Sequence, residues 1–205
     1  MYNDAVNKFY LIRHGNRPDI AGDPELSELG IKQAILTAEV LKDKKISRIF
    51  CSPLKRARGT ACVIADKLEI NTITIDDRLK ERFNWGDDPT QSFEEFIAEW
   101  QKTTHNRNYL PPAGDSSHNS GERLKDFINE LCSKVNNETI LIVTHGGITA
   151  DLLRNLFDDA FIKTFKPDFL EAGIQECSIT ELIVDNGQYE LKDFANGTHL
   201  PEPVN

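Results

Sequence analysis

The chain has 205 residues, of which 39% are hydrophobic and 28% charged, a composition typical of one folded domain rather than of a disordered chain. No run approaches the ~18–20 apolar residues of a membrane-spanning helix, and residues 1–8 lack the apolar segment of a signal peptide. The net charge of −9 argues against nucleic-acid and membrane partners, because both need a basic surface. We therefore expect a cytoplasmic protein.

The first part of the chain alternates between strand and helix patterns. Short apolar runs predict strands, and apolar residues that recur every three or four positions predict helices between them. The predicted order is a strand at 9–12, a helix from Ser27 to Leu41, a strand at 46–50, a helix opening near Pro53, and a strand at 72–75.

Residues 82–121 are rich in Asn, Asp, Pro, Ser and Gly, and we expect them to form an excursion that covers the substrate within a single domain of residues 1–205. Beyond this segment the alternation of strands and helices returns. The predicted elements are a helix at 124–135, a buried strand at 139–144, a helix at 147–157, and strands at 175–184 and 188–194 joined by a hairpin at Asn186-Gly187.

This order predicts an α/β fold, a three-layer α/β/α sandwich whose mostly parallel central sheet ends in a C-terminal antiparallel hairpin at the edge. In sheets of this kind, ligands bind beyond the carboxyl ends of the strands. The chemistry of the chain is therefore expected at the residues that follow each parallel strand.

Three predicted strands are followed by residues suited to binding an anion. The first leads into Arg13-His14-Gly15, the second is followed by Arg56, and the strand at 139–144 leads into His145-Gly146. Because parallel strands end at one edge of the sheet, two histidines and two arginines are expected in one crevice. Glycines beside the histidines let the backbone approach a ligand closely, and helices starting near Pro53 and Gly147 would add N–H donors.

This set of residues suits phosphoryl transfer. A neutral imidazole is a competent nucleophile near physiological pH. Arginine forks hold phosphoryl oxygens through paired hydrogen bonds and remain charged. The charge that develops on those oxygens must be stabilised, and the two arginines can do this.

The sequence resembles the histidine phosphatase superfamily, in its phosphoglycerate mutase-like branch. The resemblance rests on an ordered set of segments between residues 9 and 200, which is more specific than a lone Arg-His-Gly. These segments are Leu11-Ile12-Arg13-His14-Gly15, the stretch 26–34 (LSELGIKQA), the stretch 52–61 (SPLKRARGTA), Val143-Thr144-His145-Gly146-Gly147, and the stretch 196–200 (NGTHL).

The resemblance implies a role for each matching residue. His14 would attack phosphorus and become a phosphohistidine, while Arg13, Arg56 and His145 would hold the phosphoryl oxygens. Glu81 matches the family's proton donor, a group that protonates the leaving alkoxide and then activates water. No cofactor is implied and no metal is required, because arginine and histidine supply the positive charge.

One departure from close relatives follows the first histidine, where Glu-Thr is usual and this chain has Asn16-Arg17. An arginine at this position resembles the acid phosphatase branch, in which it adds a phosphate contact. Asn16, Arg17 and Gly146 therefore complete the expected phosphate-binding set. Because of this departure, Asp19 and Asp23 remain weaker candidates for the leaving-group acid.

Other functions stay open at this point. A phosphoglycerate mutase is one alternative, and a non-catalytic relative that binds phosphate or a protein is another. A cysteine phosphatase fits poorly, because its loop needs an arginine six positions after the cysteine, and Ala57 and Leu68 stand there after Cys51 and Cys62. The four cysteines show no zinc spacing and are expected to be reduced. The expected partner is a small phosphate ester, and the oligomeric state is left open, a homodimer included.

Overall fold

The computed structural model describes residues 6–201. Within these residues, six strands form one sheet in the order β3-β2-β4-β1-β5-β6: β1 (Val6–Arg13), β2 (Arg48–Cys51), β3 (Ile73–Ile75), β4 (Thr139–Thr144), β5 (Ile179–Asp185) and β6 (Gln188–Asn196). The same part of the chain contains six α-helices: α1 (Glu28–Leu41), α2 (Lys55–Lys67), α3 (Phe93–His105), α4 (Ser117–Lys134), α5 (Gly146–Leu156) and α6 (Asp159–Phe165).

The sheet is parallel from β3 through β2 and β4 to β1, and β5 and β6 run antiparallel at the other edge. This arrangement confirms the predicted α/β fold with a C-terminal antiparallel hairpin. Because β4 lies between β1 and β2, the carboxyl ends of three parallel strands are neighbours.

Alternating side chains of β1 supply both cores of the molecule. Phe9 and Leu11 pack in a cluster with buried residues of α4 and α5. Tyr10 and Ile12 point to the opposite face and pack with residues of α1 and α2. A strand buried on both faces in this way needs helices on both sides of the sheet. The three-layer arrangement therefore follows from the continuous apolar run at residues 9–12.

Most helices begin close to their predicted starts. Ser27 caps α1 by accepting a hydrogen bond from the N–H of Gly30 at 3.1 Å, and α2 begins at Lys55, just after Pro53. The segment predicted as an irregular excursion contains the whole of α3 and the start of α4, at Ser117. The helix α6 was not predicted, although Asp158 caps it through the N–H of Phe161 at 2.8 Å.

The hairpin between β5 and β6 confirms the turn predicted at Asn186-Gly187. Both residues have positive φ angles, 48° and 79°, as a two-residue type I′ turn requires. Asp185 and Gln188 pair directly across it. Among residues 6–201, no helix combines the length and the apolar character needed to cross a bilayer.

Candidate active site

The ends of β1, β2 and β4 bring His14, Arg56 and His145 together. The N–H of His14 bonds to Thr144 O at 2.9 Å, which ties the end of β1 to the end of β4. The two imidazole rings lie 5.1 Å apart between centroids, and Arg56 Nε lies 3.0 Å from His14 Nε2. The crevice predicted from strand direction is therefore present.

The ring of His14 has a defined orientation. Its Nδ1 lies 2.8 Å from the carbonyl oxygen of Gly15, and because a carbonyl can only accept, Nδ1 carries the hydrogen. The lone pair is then on Nε2, where Arg56 donates to it. Burial, and next the charges of Arg13 and Arg56, hold the pKa of His14 well below its ordinary value, so the ring is neutral at pH 7.

Arg56 lies in the first turn of α2 and is 4% exposed. Its NH2 donates to Asn84 Oδ1 at 2.5 Å. Its NH1 makes no hydrogen bond in the described part of the chain, and it lies 3.6 Å from Asp23 Oδ1. Burial lowers the pKa of Arg56 to about 10, so its guanidinium remains charged at neutral pH. One buried, charged N–H group therefore stays available in the crevice.

His145 is fully buried at the end of β4. Its Nε2 lies 2.8 Å from Ser52 Oγ, whereas its Nδ1 has no partner among residues 6–201. Burial, followed by the charges of Arg56 and His14, lowers the pKa of His145 well below its ordinary value. The ring is oriented by Ser52 and offers its second nitrogen to a ligand.

Arg13 is the last residue of β1, and its side chain lies against the start of α5. A Cβ at Gly146 would meet Arg13 Cδ at 3.3 Å, so the glycine leaves room for the arginine. The guanidinium donates to the carbonyl oxygen of Ile174 and, from NH2, to Glu176 Oε1 at 3.0 Å.

Residues of α1 and α2 hold the backbone that follows His14. The N–H of Gly15 donates to Thr60 Oγ1 at 2.9 Å, and the N–H of Asn16 donates to Gln33 Oε1 at 2.8 Å. The Asn16 side chain accepts a bond of 2.6 Å from the Ser27 hydroxyl. The stretches at 26–34 and 52–61 therefore fix the backbone that follows His14, and this accounts for Ser27, Gln33 and Thr60 in them.

Arg17 lies in the loop after His14 and is partly exposed. Its NH1 donates to the carbonyl oxygens of Pro18 at 2.8 Å and Ile20 at 3.3 Å. The positive charge of Arg17 still acts on His14 electrostatically, because it contributes to the lowered pKa of that histidine. Asp19, 3.9 Å from the Arg17 guanidinium, is 79% exposed and makes no contact with the crevice.

Two carboxylates cap the N-termini of α2 and α5, whose N–H groups are expected from the sequence to bind a ligand. Glu81 accepts hydrogen bonds from the N–H groups of Gly147 at 2.9 Å and Ile148 at 2.8 Å. Asp23 accepts from the N–H of Lys55 at 3.0 Å. The expectation that these helix ends offer those N–H groups to phosphate is therefore not met in this structure, because both ends are already capped.

A cleft of about 480 Å³ opens beside the crevice. Glu81 and Asn84 line it, and Asn84 also bonds to Arg56, so the cleft adjoins the histidines. Leu54, Gly114 and charged side chains from the turn before Glu81, from the excursion and from α4 form the rest of its wall. Its size suits a small organic group attached to a phosphate.

A profile of the histidine phosphatase superfamily, branch 1, matches residues 9–197 of this chain. The chain belongs to the histidine phosphatase superfamily. A probable phosphatase of Schizosaccharomyces pombe is 31% identical over 208 residues, which cover 94% of this chain and 95% of the yeast protein. The metal-independent phosphoserine phosphatase of Arabidopsis thaliana is 29% identical over 158 residues, which cover 70% of this chain and 66% of the plant protein.

Solved structures show the same superfamily fold. A variant of phosphoserine phosphatase from Entamoeba histolytica superposes with a TM-score of 0.73 at 24% identity, covering 95% of this chain and 100% of the other. The family and fold predicted from sequence are thereby confirmed, and the phosphatase class agrees with the names of these histidine phosphatase relatives.

Several polar residues of this histidine phosphatase were given no role from sequence. Ser52 orients His145, Asn84 binds Arg56, and Glu176 binds Arg13. Ser52 lies in the motif at 52–61, so its position before Pro53 could have indicated a role in the site. Glu176 lies far from the other site residues in sequence, and only the pairing of β1 with β5 brings it near. Within residues 6–201, no three His, Cys, Asp or Glu side chains cluster as metal ligands.

Proposed function

We propose that this chain hydrolyses a small phosphate monoester through a phosphohistidine intermediate on His14. The observation that carries the proposal is a pair of buried nitrogens, Arg56 NH1 and His145 Nδ1, that make no hydrogen bond within the described chain, although Asp23 Oδ1 lies 3.6 Å from Arg56 NH1. Buried polar atoms are normally paired, because an unpaired one loses the hydrogen bonds it had in water. A phosphoryl group beside His14 Nε2 would give both nitrogens acceptors.

In the proposed reaction, the lone pair of His14 Nε2 attacks phosphorus as the bond to the leaving oxygen breaks. Arg13, Arg56 and His145 hold the non-bridging oxygens, with Asn16, Arg17 and Gly146 as further candidate contacts. Because the phosphoryl oxygens are already negative in the ester, fixed arginine charges stabilise them without reorganisation. Water then attacks the phosphohistidine and releases inorganic phosphate and the free imidazole.

Glu81 is the proposed acid of the first step and base of the second. Its carboxyl lies at the boundary between the crevice and the cleft, held by Gly147 and Ile148. A proton from Glu81 would go to the leaving alkoxide, and the carboxylate would later accept one from the attacking water.

The cleft favours a phosphatase over a mutase that handles bisphosphates. Arg123 is largely engaged, because Nε and NH2 bind Asp115 and NH1 donates to the carbonyl oxygens of Arg78 and Lys80. Lys80 pairs with Asp77 at 3.2 Å, and Asp87 adds a further carboxylate to the wall. A second phosphate would meet this acidic wall, whose arginines Arg82 and Arg123 are already paired with Asp151 and Asp115, so a single phosphoryl group fits better.

A cytoplasmic location is part of the proposal. All four cysteines are free. Burial raises the pKa of the Cys51 and Cys177 thiols to about 12, which keeps them protonated and unreactive. Reduced thiols of this kind are typical of cytosolic proteins.

The decisive experiment is an assay of the purified protein on a chromogenic aryl phosphate, with a metal chelator present. We expect turnover, and an acid-labile, base-stable phosphoenzyme after rapid quenching. The variant His14→Ala should lose both signals. The matched control is His105→Ala, because His105 is exposed on α3 and bonds only to the carbonyl oxygen of Gln101.

Full activity in His14→Ala would overturn the phosphohistidine mechanism. A mutase assay on phosphoglycerates runs in parallel with the phosphatase assay. Efficient mutase activity together with poor ester hydrolysis would replace the phosphatase proposal with the mutase alternative.

A further inference from the structure

The loop 174–178, between α6 and β5, holds the side chain of Arg13. The guanidinium donates to the carbonyl oxygen of Ile174, and NH2 donates to Glu176 Oε1 at 3.0 Å. On its other side, Arg13 lies against Gly146, where a Cβ would come within 3.6 Å of Nε. The guanidinium is therefore confined between this loop and the first residue of α5.

The same loop also holds the backbone of Arg13 and His14. The N–H of Cys177 donates to Arg13 O at 2.9 Å and to His14 O at 3.3 Å. Cys177 is fully buried and has φ 58°, in the left-handed region that non-glycine residues rarely adopt. Thr37 Oγ1 donates to the Cys177 carbonyl at 3.0 Å and so holds this turn from α1. Strained backbone of this kind persists only when its surroundings hold it, and it is concentrated at functional sites.

We propose that Glu176 is a positioning residue that aims the Arg13 guanidinium at the phosphoryl group carried by His14. The proposal rests on the proposed function. The Arg13 and Glu176 side chains are 28% and 29% exposed, and partly exposed ion pairs contribute little to stability. An arginine at a strand end has several rotamers to choose from. The carboxylate selects one of them and leaves the remaining N–H groups for the phosphoryl oxygens.

The test compares Glu176→Ala and Glu176→Gln with wild type and with Glu171→Gln, an exposed glutamate that precedes the same loop. Two quantities are measured: kcat and KM for an aryl phosphate, and the affinity for orthovanadate by calorimetry, which needs no turnover. In Glu176→Ala we expect kcat to fall roughly 10- to 100-fold with a smaller change in KM, because a misplaced catalytic group costs about this much. Vanadate affinity should fall as well.

Glu176→Gln keeps an oxygen that can accept from Arg13 NH2, so it should retain most of the activity, and Glu171→Gln should match wild type. In an Arg13→Ala background, Glu176→Ala should cause no further loss, because it acts through Arg13. A purely structural role would lower the yield of folded protein without changing kcat for the folded fraction.

Unchanged kcat and vanadate affinity in folded Glu176→Ala would overturn the proposal. An additive loss in the Arg13→Ala background would overturn it too, and so would tighter vanadate binding, which would mean that Glu176 competes with the anion. If Glu176→Ala does not fold, Glu176→Asp replaces it, since its shorter side chain withdraws the carboxylate from Arg13. A wild-type protein that binds vanadate but hydrolyses no ester overturns the proposed function alone.

Discussion

The carbonyl oxygen of Gly15 decides which nitrogen of His14 can react. It accepts the Nδ1 hydrogen at 2.8 Å and leaves the lone pair on Nε2, the atom proposed to attack phosphorus. Arg56 Nε donates to Nε2 at 3.0 Å. A bound phosphoryl group would receive this N–H in place of the imidazole. In the proposed mechanism, one arginine therefore both binds the anion and holds the lone pair of His14 until the anion arrives.

Substitution of the proposed acid should separate two classes of substrate. In Glu81→Gln we expect a large loss of kcat with alkyl phosphates and a smaller loss with aryl phosphates, because an aryl oxide leaves without being protonated. The measurement is kcat for a matched pair of esters. Glu94→Gln, an exposed position in the first turn of α3, is the control. Equal losses with both esters would remove Glu81 from the acid role.

Among the site residues, those that follow the parallel strands could be predicted from sequence. The residues that hydrogen-bond to them could not. Arg13, His14 and His145 each follow directly from a strand end and a recognised motif. Asn84 was not found, because a loop asparagine among other polar residues carries no distinguishing pattern. Its contact with Arg56 depends on how the excursion folds back, and this is decided by tertiary packing.

The helix α5 begins against Glu81 and Trp100, and only glycine fits at its second residue. A Cβ at Gly147 would lie 2.5 Å from Glu81 Oε1 and 2.6 Å from the Trp100 ring. The start of α5, the loop that carries Glu81 and the helix α3 are therefore in contact at one point. Movement of any of these three elements would change where the Glu81 carboxyl lies.

Gly147→Ala should accordingly reduce both stability and activity. We expect a loss of about 1–3 kcal/mol in the free energy of unfolding, as for an overpacked site, together with a fall in kcat. The control is Gly59→Ala in α2, where the Cβ would meet only the flexible Leu26 side chain at 3.2 Å. Alanine in a helix interior is favoured over glycine, so the control should stay within about 1 kcal/mol of wild type.

Urea denaturation and steady-state kinetics of both variants provide the measurements. If Gly147→Ala is as stable and as active as Gly59→Ala, then Glu81 and Trp100 can move to accommodate the added Cβ. That result would contradict a fixed position for the Glu81 carboxyl.

Element prediction worked where the hydrophobic period was long and failed where it was short. The helices α1 and α4 show apolar residues over several turns, and the hairpin has its Asn-Gly signal. The seven-residue α6 has a single fully buried side chain, Ile162, so no period could emerge. Its cap at Asp158 was the remaining signal, and a cap alone does not distinguish a helix from a turn.

A buried ion pair joins the excursion to the body of the protein. Arg82 NH1 lies 3.3 Å from Asp151 Oδ1, and the two side chains are 3% and 2% exposed. Arg82 also donates to Thr104 Oγ1 at 2.6 Å and lies 3.7 Å from the Trp100 ring centroid, both in α3. One side chain therefore connects α3 to α5. The excursion is held to the core by buried polar contacts as well as by apolar ones.

This pair should give the whole molecule a pH-dependent stability. Burial raises the pKa of Asp151 to about 6, against 3.8 for a free aspartate. Between pH 4 and 6 the folded state therefore holds a proton that the unfolded state has released, so the contribution of Asp151 to stability falls as the pH rises through this window. We expect the stability of wild type relative to Asp151→Asn to decline over the same range.

Denaturant unfolding of both proteins at several pH values between 4 and 7 measures this difference. The lowered pKa values of His14 and His145 act in the opposite direction, removing stability as the pH falls below about 6.5. They are common to both proteins and cancel in the comparison. Parallel stability curves for the two proteins would contradict the assignment to Asp151.

The order of strands in the sheet has a consequence for how the protein is made. Arg13 and Ile174 are separated by 161 residues, and Asn7 and Glu138, which bond at the start of β1 and β4, by 131. During synthesis, His14 leaves the ribosome long before β4 and β5 exist to flank it. His14 is therefore without His145, and without the loop that holds Arg13, until most of the chain has been translated. Nascent chains that end before β4 carry the proposed nucleophile but not the complete proposed phosphate site.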